Sequence, residues 1–309
     1  MSRSSSPKIW SGLIYLYIAW GSTYLAIHYL VETIPPLLAS GMRNASAGVI
    51  MLIYAKITEP KVWPDKRSWL VSFWAGILML GVGNGGVSIA VAWVPTGYAA
   101  LIVAAVPIWL VLLQWIWLRI IPTKLVLLGV FAGIVGVSLL LNFDAFSLEG
   151  SSAQFTFGIL ALLAATFCWS WGMVVSQQSQ VPYSAAYISA MQMIGGGMAT
   201  LFVSGIIGEW NGFTANRITP QAINAFIYLL TIGSLGGFTV FSWLSQHTSP
   251  TLLATYNYVN PLVALLLGYL FVGEQLSFKV VLAAVIIIAA VLLITAGQRQ
   301  PKSTELSEV

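Results

Sequence analysis

Charge is what this 309-residue chain has least of: Asp, Glu, Lys and Arg together make up 7% of it, where a soluble domain carries about a quarter. With 58% hydrophobic residues it cannot cover its own surface against water, which excludes a soluble fold. One cysteine, Cys168, excludes an internal disulfide, and with two histidines, His28 and His247, it excludes a structural zinc site. A Gly-rich phosphate loop, a Gly-x-Ser-x-Gly elbow and a His-Glu-x-x-His pair are all missing, so direct ATP drive and catalysis by a recognised motif lack support, and no cofactor is implied. No Asp or Glu stands in the central third of a long apolar run, leaving a carboxylate proton relay without an obvious site. The formal net charge of +4 is strung along loops rather than gathered on one face, which argues against nucleic acid as a partner.

What is present is apolar sequence in lengths that match a bilayer. A spanning helix needs about 20 mostly apolar residues. That ruler predicts ten spans, at 9–31, 37–56, 69–92, 97–118, 124–142, 156–177, 184–207, 221–244, 251–272 and 278–297. The fold class is therefore an all-α integral membrane protein. The first run follows Arg3 and Lys8 but is too long for a signal core and lacks a small-x-small exit, so it reads as a retained span. An N-terminus placed inside puts ten of the 13 basic residues in the cytoplasm, from Arg3 and Lys8 through Lys56–Arg67 to Arg299 and Lys302. Arg217 and Lys279 remain outside, and Arg43 lies within the second span. Both termini are thus expected in the cytoplasm, and Asp144 and Glu149 outside.

The chain also repeats itself. Trp20-Gly21 returns as Trp171-Gly172, Gly85-Gly86 as Gly236-Gly237 and Pro107 as Pro261, each about 150 residues on. Residues 1–145 and 146–309 are the expected units. Five spans per unit is an odd number, so the second unit runs opposite to the first, as two inverted five-helix repeats that alternating access would use.

Lipid tolerates freed backbone groups only where protein or a water-filled cavity satisfies them. The glycine runs 81–86 and 233–237, with Gly83, Gly85 and Gly236, mark expected breaks in the third and eighth spans, and Pro107 and Pro261 expected kinks in the fourth and ninth. Close packing by small residues is the plainer account of any one glycine. Polar residues gather beside these places: Asn84 in the glycine run, and Thr255, Tyr256, Asn257, Tyr258 and Asn260 before Pro261. Trp20, Tyr24 and His28 share one face of the first span, the sixth offers Trp169 and Trp171, and the seventh Gln192. Such a wall suits a small molecule with apolar and polar parts. Trp10, Trp63, Trp69 and Trp93 read as interfacial belt. Arg43, about six residues into its span, either holds a substrate carboxylate or phosphate, or snorkels and caps carbonyls. His28 and Glu32 form an i, i+4 pair that either titrates or is an interfacial polar pair, and Glu274 closes the ninth span by turn chemistry.

Trp20-Gly21-Ser22-Thr23-Tyr24, the stretch from Pro36 to Arg43, Gly83-Asn84-Gly85, Tyr258-Val259-Asn260-Pro261 and Gly273-Glu274-Gln275-Leu276-Ser277 resemble, in order and over almost the full chain, the EamA family of the drug/metabolite transporter superfamily. The likeness is to its YedA-like and PecM-like permeases. It implies a ten-helix carrier of the bacterial inner membrane that exports amino acids or other metabolites. It further implies a cavity formed by helices one, three, four, six, eight and nine, with five and ten peripheral. Trp20, Tyr24, Asn84, Trp171, Tyr256 and Asn260 map onto that cavity. One departure is that Gly273-Glu274 has no full match after the fourth span, where Arg119-Ile120-Ile121-Pro122 stands, which weighs against a symmetric pair of acidic residues.

A secondary transporter of small metabolites, with the lipid bilayer as its other partner, fits these features. A non-transporting sensor or assembly subunit would keep the fold and lose the cavity. A membrane-embedded enzyme would need acids, bases or metal ligands converging within the bilayer. Gly129, Gly133 and Gly136 permit close helix packing, either across a homodimer or within one chain.

Overall fold

Proline and short polar residues mark where the helices start. α3 (Pro36–Thr58) and α11 (Pro220–Tyr228) carry proline in the first turn, where its missing N–H has no partner to lose. Ahead of α11, Thr219 Oγ1 accepts from Ala222 N at 3.2 Å; ahead of α4 (Lys66–Gly76), Asp65 Oδ1 accepts from Ser68 N at 2.7 Å. That bond holds the Asp65 carboxyl below the ordinary carboxylate range. The structure, a computed structural model, describes residues 7–140, 151–211, 213–248, 253 and 255–298. The expected unit boundary at 145, Asp144, Glu149, Arg3, Arg299 and Lys302 lie outside the described residues.

Over those residues the chain is helical and without strands. α1 (Pro7–Gly21) and α2 (Thr23–Val31) run in series through Ser22. After α3 and α4 come a π-helical stretch (Ile77–Asn84) and α5 (Gly85–Val91), then α6 (Thr96–Val103), α7 (Val106–Ile116) and α8 (Lys124–Leu140). α9 (Ser151–Gln178), α10 (Ala185–Ile206) and a 3₁₀ turn (Ala215–Arg217) precede α11. A second π-helical stretch (Leu229–Gly236) leads into α12 (Gly237–His247). α13 (Tyr256–Leu267), a third π stretch (Gly268–Val272) and α14 (Phe278–Gln298) complete the described chain. Among the described residues seven helices are long and apolar enough to cross a membrane, and Lys124–Leu139 and Tyr256–Val272 are shorter apolar helices.

The glycine runs do not break their helices as the sequence suggests. Each instead widens the helix into eight π-helical residues, Ile77–Asn84 and Leu229–Gly236, placed about 150 residues apart. A π turn bonds i to i+5, so the helix continues in a wider form. The prolines differ from one another. α6 stops at Val103 and α7 restarts at Val106, so the chain is interrupted just before Pro107; Pro261 sits inside α13 without interrupting it.

The outer face is apolar: Phe131, Phe202, Phe271, Phe278 and Val285 are all well exposed, as are Trp10, Trp63 and Trp93. Large apolar surface turned outward is a liability in water and a requirement in lipid. Inside, glycine sets the approach of the helices. α10 packs along α3 and α4, where a methyl on Gly195 would stand 2.6 Å from Phe73 O and one on Gly196 2.5 Å from Gly76 O. α8 packs on α14 in the same chain: a methyl on Gly129 would stand 2.8 Å from Ala290 O, and one on Gly136 2.7 Å from Ile287. These glycines are thus used within one chain, and Gly133 faces Ile108 of α7.

Gly76 tests this packing. A methyl there would overlap the backbone of Gln192, whereas one on Gly81 meets nothing nearer than 3.5 Å. Gly76→Val is expected to lower stability in detergent by about 1–3 kcal/mol or more, and Gly81→Ala to leave the melting temperature close to wild type. Equal melting temperatures for the two variants would contradict the packing described.

Candidate functional site

Residues that the sequence scatters over seven runs, polar ones from six of them, meet at one cavity of about 150 Å³. α1 and α2 contribute Trp20, Thr23, Tyr24 and Ile27; α3 contributes Arg43; the first π stretch and α5 contribute Gly83, Asn84 and Val87. α6 and α7 supply Ala100, Val103 and Val106, and α9 supplies Ala165, Thr166 and Trp169. Gly233, Ser234 and Phe238 come from the second π stretch and α12, and Tyr256, Asn257, Asn260 and Pro261 from α13.

Carbonyls of the second π stretch hold Trp20 and its neighbour: Trp20 Nε1 donates to Gly233 O at 3.1 Å and Tyr15 OH to Ile232 O at 2.9 Å. Any side chain on Gly236 or Gly237 would overlap Tyr15 or Trp20, so this glycine pair seats the two rings. The Trp20 indole meets Tyr256 edge-on at 5.0 Å and Phe238 at 5.9 Å between centroids, a rigid aromatic corner. With its amide turned so that nitrogen faces carbonyls, Asn260 donates to Tyr17 O at 3.3 Å and Tyr256 O at 3.1 Å. Asn84 has no side-chain hydrogen bond to the described residues.

Arg43 is 5% exposed and does not snorkel to the interface. Its hydrogen bond is a long one, from an Nη to Asn44 Oδ1 at 3.5 Å, and its buried Nε has no partner among the described residues. Among the described residues the ion pair present is His28–Glu32, at 3.4 Å and half-exposed, at the end of α2 rather than on Arg43's helix α3.

Two of the expected site residues stand elsewhere. Trp171 is 38% exposed and packs against Trp117 and Phe167, while Trp169 takes the place in the cavity wall. Gln192 is buried but ties α10 to α9, donating from Nε2 to Ser176 Oγ at 2.8 Å. Of the expected breaks, Gly83 and Pro261 line the cavity; Gly85 packs toward Leu37, Gly236 seats Tyr15, and Pro107 opens α7.

Two carboxylates bridge the halves of the chain. Glu274 Oε1 and Oε2 accept from Thr96 N and Gly97 N, the latter at 3.1 Å, at the start of α6. Glu209 accepts from Leu37 N at 3.2 Å and Leu38 N at 2.8 Å at the start of α3, and from Ser204 Oγ at 2.7 Å. Each neutralises the free N–H groups and positive end of a helix. Glu274 therefore does more than end a turn, although the turn itself is there, with Gly273 at φ +77°. Its partner clasp comes from Glu209, which the sequence reading passed over. The available signal was the rarity of acids, nine in the chain, set against two Pro-led helix starts with N–H groups to satisfy.

The model of the EamA-like transporter family matches residues 9–142 and again residues 156–296. The chain belongs to that family. Its EamA relatives include the uncharacterized inner membrane transporter YedA of Escherichia coli (strain K12), 32% identical over 94% of this chain and 91% of that protein. Protein PecM of Dickeya dadantii (strain 3937) is 28% identical over 91% of this chain and 90% of PecM. A solved structure titled "Crystal structure of protein" shares the fold with a TM-score of 0.64 at 18% identity, covering 97% of this chain and all of that one. In this EamA chain the cavity is lined from the runs containing helices one, three, four, six, eight and nine, as the resemblance implies, and additionally from α3 through Arg43. The described residues of the runs at 124–142 and 278–297 contribute nothing to its lining.

Proposed function

We propose that this EamA-family chain is a secondary transporter of the bacterial inner membrane that exports small amphipathic metabolites, such as amino acids or related compounds. Its ten spans form two inverted repeats, 1–145 and 146–309, with both termini in the cytoplasm. The observation that carries this reading is the cavity: a wall of indole, phenol and amide groups drawn from both repeats and flanked by two matched π-helical stretches. Packed helices hinge where their hydrogen bonding is already irregular, so the π stretches are suitable places for the halves to move between inward-open and outward-open shapes. Trp20, Tyr24, Asn84, Tyr256 and Asn260 would contact the substrate from the cavity wall, joined by Trp169.

The test is untargeted profiling of metabolites outside cells that overproduce the chain, against cells overproducing the Trp20→Ala, Asn84→Ala form. A compound accumulating outside with the intact chain alone is the expected outcome. Equal profiles at equal membrane abundance would overturn export and favour uptake or a non-transporting sensor or assembly subunit.

A further inference from the structure

A buried guanidinium without an acid beside it is expensive. Removing a charge from water costs several kcal/mol unless an opposite charge or full hydrogen bonding replaces the lost hydration. Among the described residues Arg43 has neither: it is 5% exposed, its Nε is unpartnered and its one hydrogen bond, to Asn44 Oδ1, is 3.5 Å long. Among the described residues no Asp, Glu, Lys or His lines the cavity that Arg43 faces, and the guanidinium is the one formal charge on its wall. Asn44 itself is 1% exposed and is held by long contacts to Ser40 Oγ at 3.4 Å and to Leu80 O of the first π stretch at 3.5 Å.

We propose that Arg43 is the anion-recognition residue of the cavity and that the transported molecule is an organic monocarboxylate with an apolar body. This rests on the transporter reading above. One fixed positive charge balances one negative charge; a phosphate monoester, near −2 at neutral pH, would leave an uncompensated charge in the same place. The fork of N–H donors suits a carboxylate in geometry as well as charge. The corner formed by Trp20, Tyr256 and Phe238 then takes the apolar body. No carboxylate on the wall recognises an ammonium group, so a substrate amine is not required, and a cationic molecule meets Arg43 unfavourably.

The experiment uses the purified full chain in lipid nanodiscs and a matched set of probes: 3-phenylpropanoate, 3-phenylpropanamide, phenylethylammonium and the zwitterion phenylalanine, with indolyl and aliphatic counterparts of each. Binding is read by thermal shift and tryptophan fluorescence, independently of transport. In at least one body series the carboxylate is expected to bind at least about tenfold more tightly than its amide, because a site built around a charged donor rejects an analogue without the charge. The ammonium compound should not bind measurably. Comparing the carboxylate with the zwitterion distinguishes a plain acid from an amino acid as the source of that group.

Arg43→Lys should keep part of the preference and Arg43→Gln should abolish it. The ligand-free melting temperature of Arg43→Gln should equal or exceed wild type, since an uncompensated buried charge has been removed. Carboxylate and amide binding alike in every series, or preference surviving in Arg43→Gln, would overturn the proposal. So would a lowered ligand-free melting temperature in Arg43→Gln, which marks a structural arginine. A carboxylate preference without metabolite export would leave Arg43 as assigned and overturn the transporter reading instead.

Discussion

Cells carrying Glu209→Gln together with Glu274→Gln are expected to label strongly from outside at a cysteine placed at Asn84, where the unclasped protein is expected to expose its cavity. Each carboxylate accepts two backbone N–H groups at a helix start, and Glu209 adds Ser204 Oγ. Glutamine keeps the shape but loses the charge and can no longer face two donors with two equivalent acceptors. Charge-assisted bonds of this kind at partly exposed helix ends are worth about 1–2 kcal/mol each. Losing both should shift the balance between clasped and unclasped forms by about tenfold or more. With both termini in the cytoplasm, as proposed, the two clasps would lie on the extracytoplasmic side. With Cys168 replaced by serine, Asn84→Cys is the sole thiol, and labelling of intact cells with a membrane-impermeant maleimide reads the shift. Labelling no different from that of the clasped protein would contradict a gating role for the two acids. Gly268→Ala should act in the same direction as Glu274→Gln, because a methyl at Gly268 overlaps the Glu274 carboxylate.

Trp20→Ala is expected to reduce export by at least about tenfold, while Trp171→Ala retains most of it, although the sequence repeat makes the two residues counterparts. Trp20 is fixed by Gly233 O, seated on Gly237 and packed on Tyr256 at the cavity. Trp171 is directed away from it, onto Trp117. Removing a large ring from a binding wall forfeits both contact and preorganisation. An exposed aromatic facing lipid forfeits little. Export measured at matched membrane abundance checks both, and equal loss in the two variants would contradict the placement.

That pair also explains how far the sequence reading carried. The repeat and the apolar runs were legible because both are periodic along the chain, and six of the eight expected contact residues do share a cavity. Facing was not legible. Trp169 and Trp171 are two residues apart and so point roughly 200° apart around a helix. A repeated dipeptide records common origin and leaves the rotation of its helix unspecified. Glycine runs in an apolar span suggest breaks because glycine lowers helix propensity; the structure keeps those helices and uses the missing side chains to seat Tyr15 and Trp20 and to admit α9. Gln192 is polar for the sake of Ser176 on the neighbouring helix. Glu209 and Glu274 act on N–H groups more than 170 residues away in sequence, a distance over which no local pattern points.

The central claim is that the cavity holding Asn84 is the path between the two sides of the membrane. Asn84→Cys, with Cys168 replaced by serine, tests it in right-side-out and inside-out vesicles treated with the same impermeant maleimide. The account predicts labelling from both faces, each in competition with the transported compound. A cysteine at Asn84 that reacts from neither face, or from one face alone in wild-type and double-glutamine backgrounds alike, would contradict it.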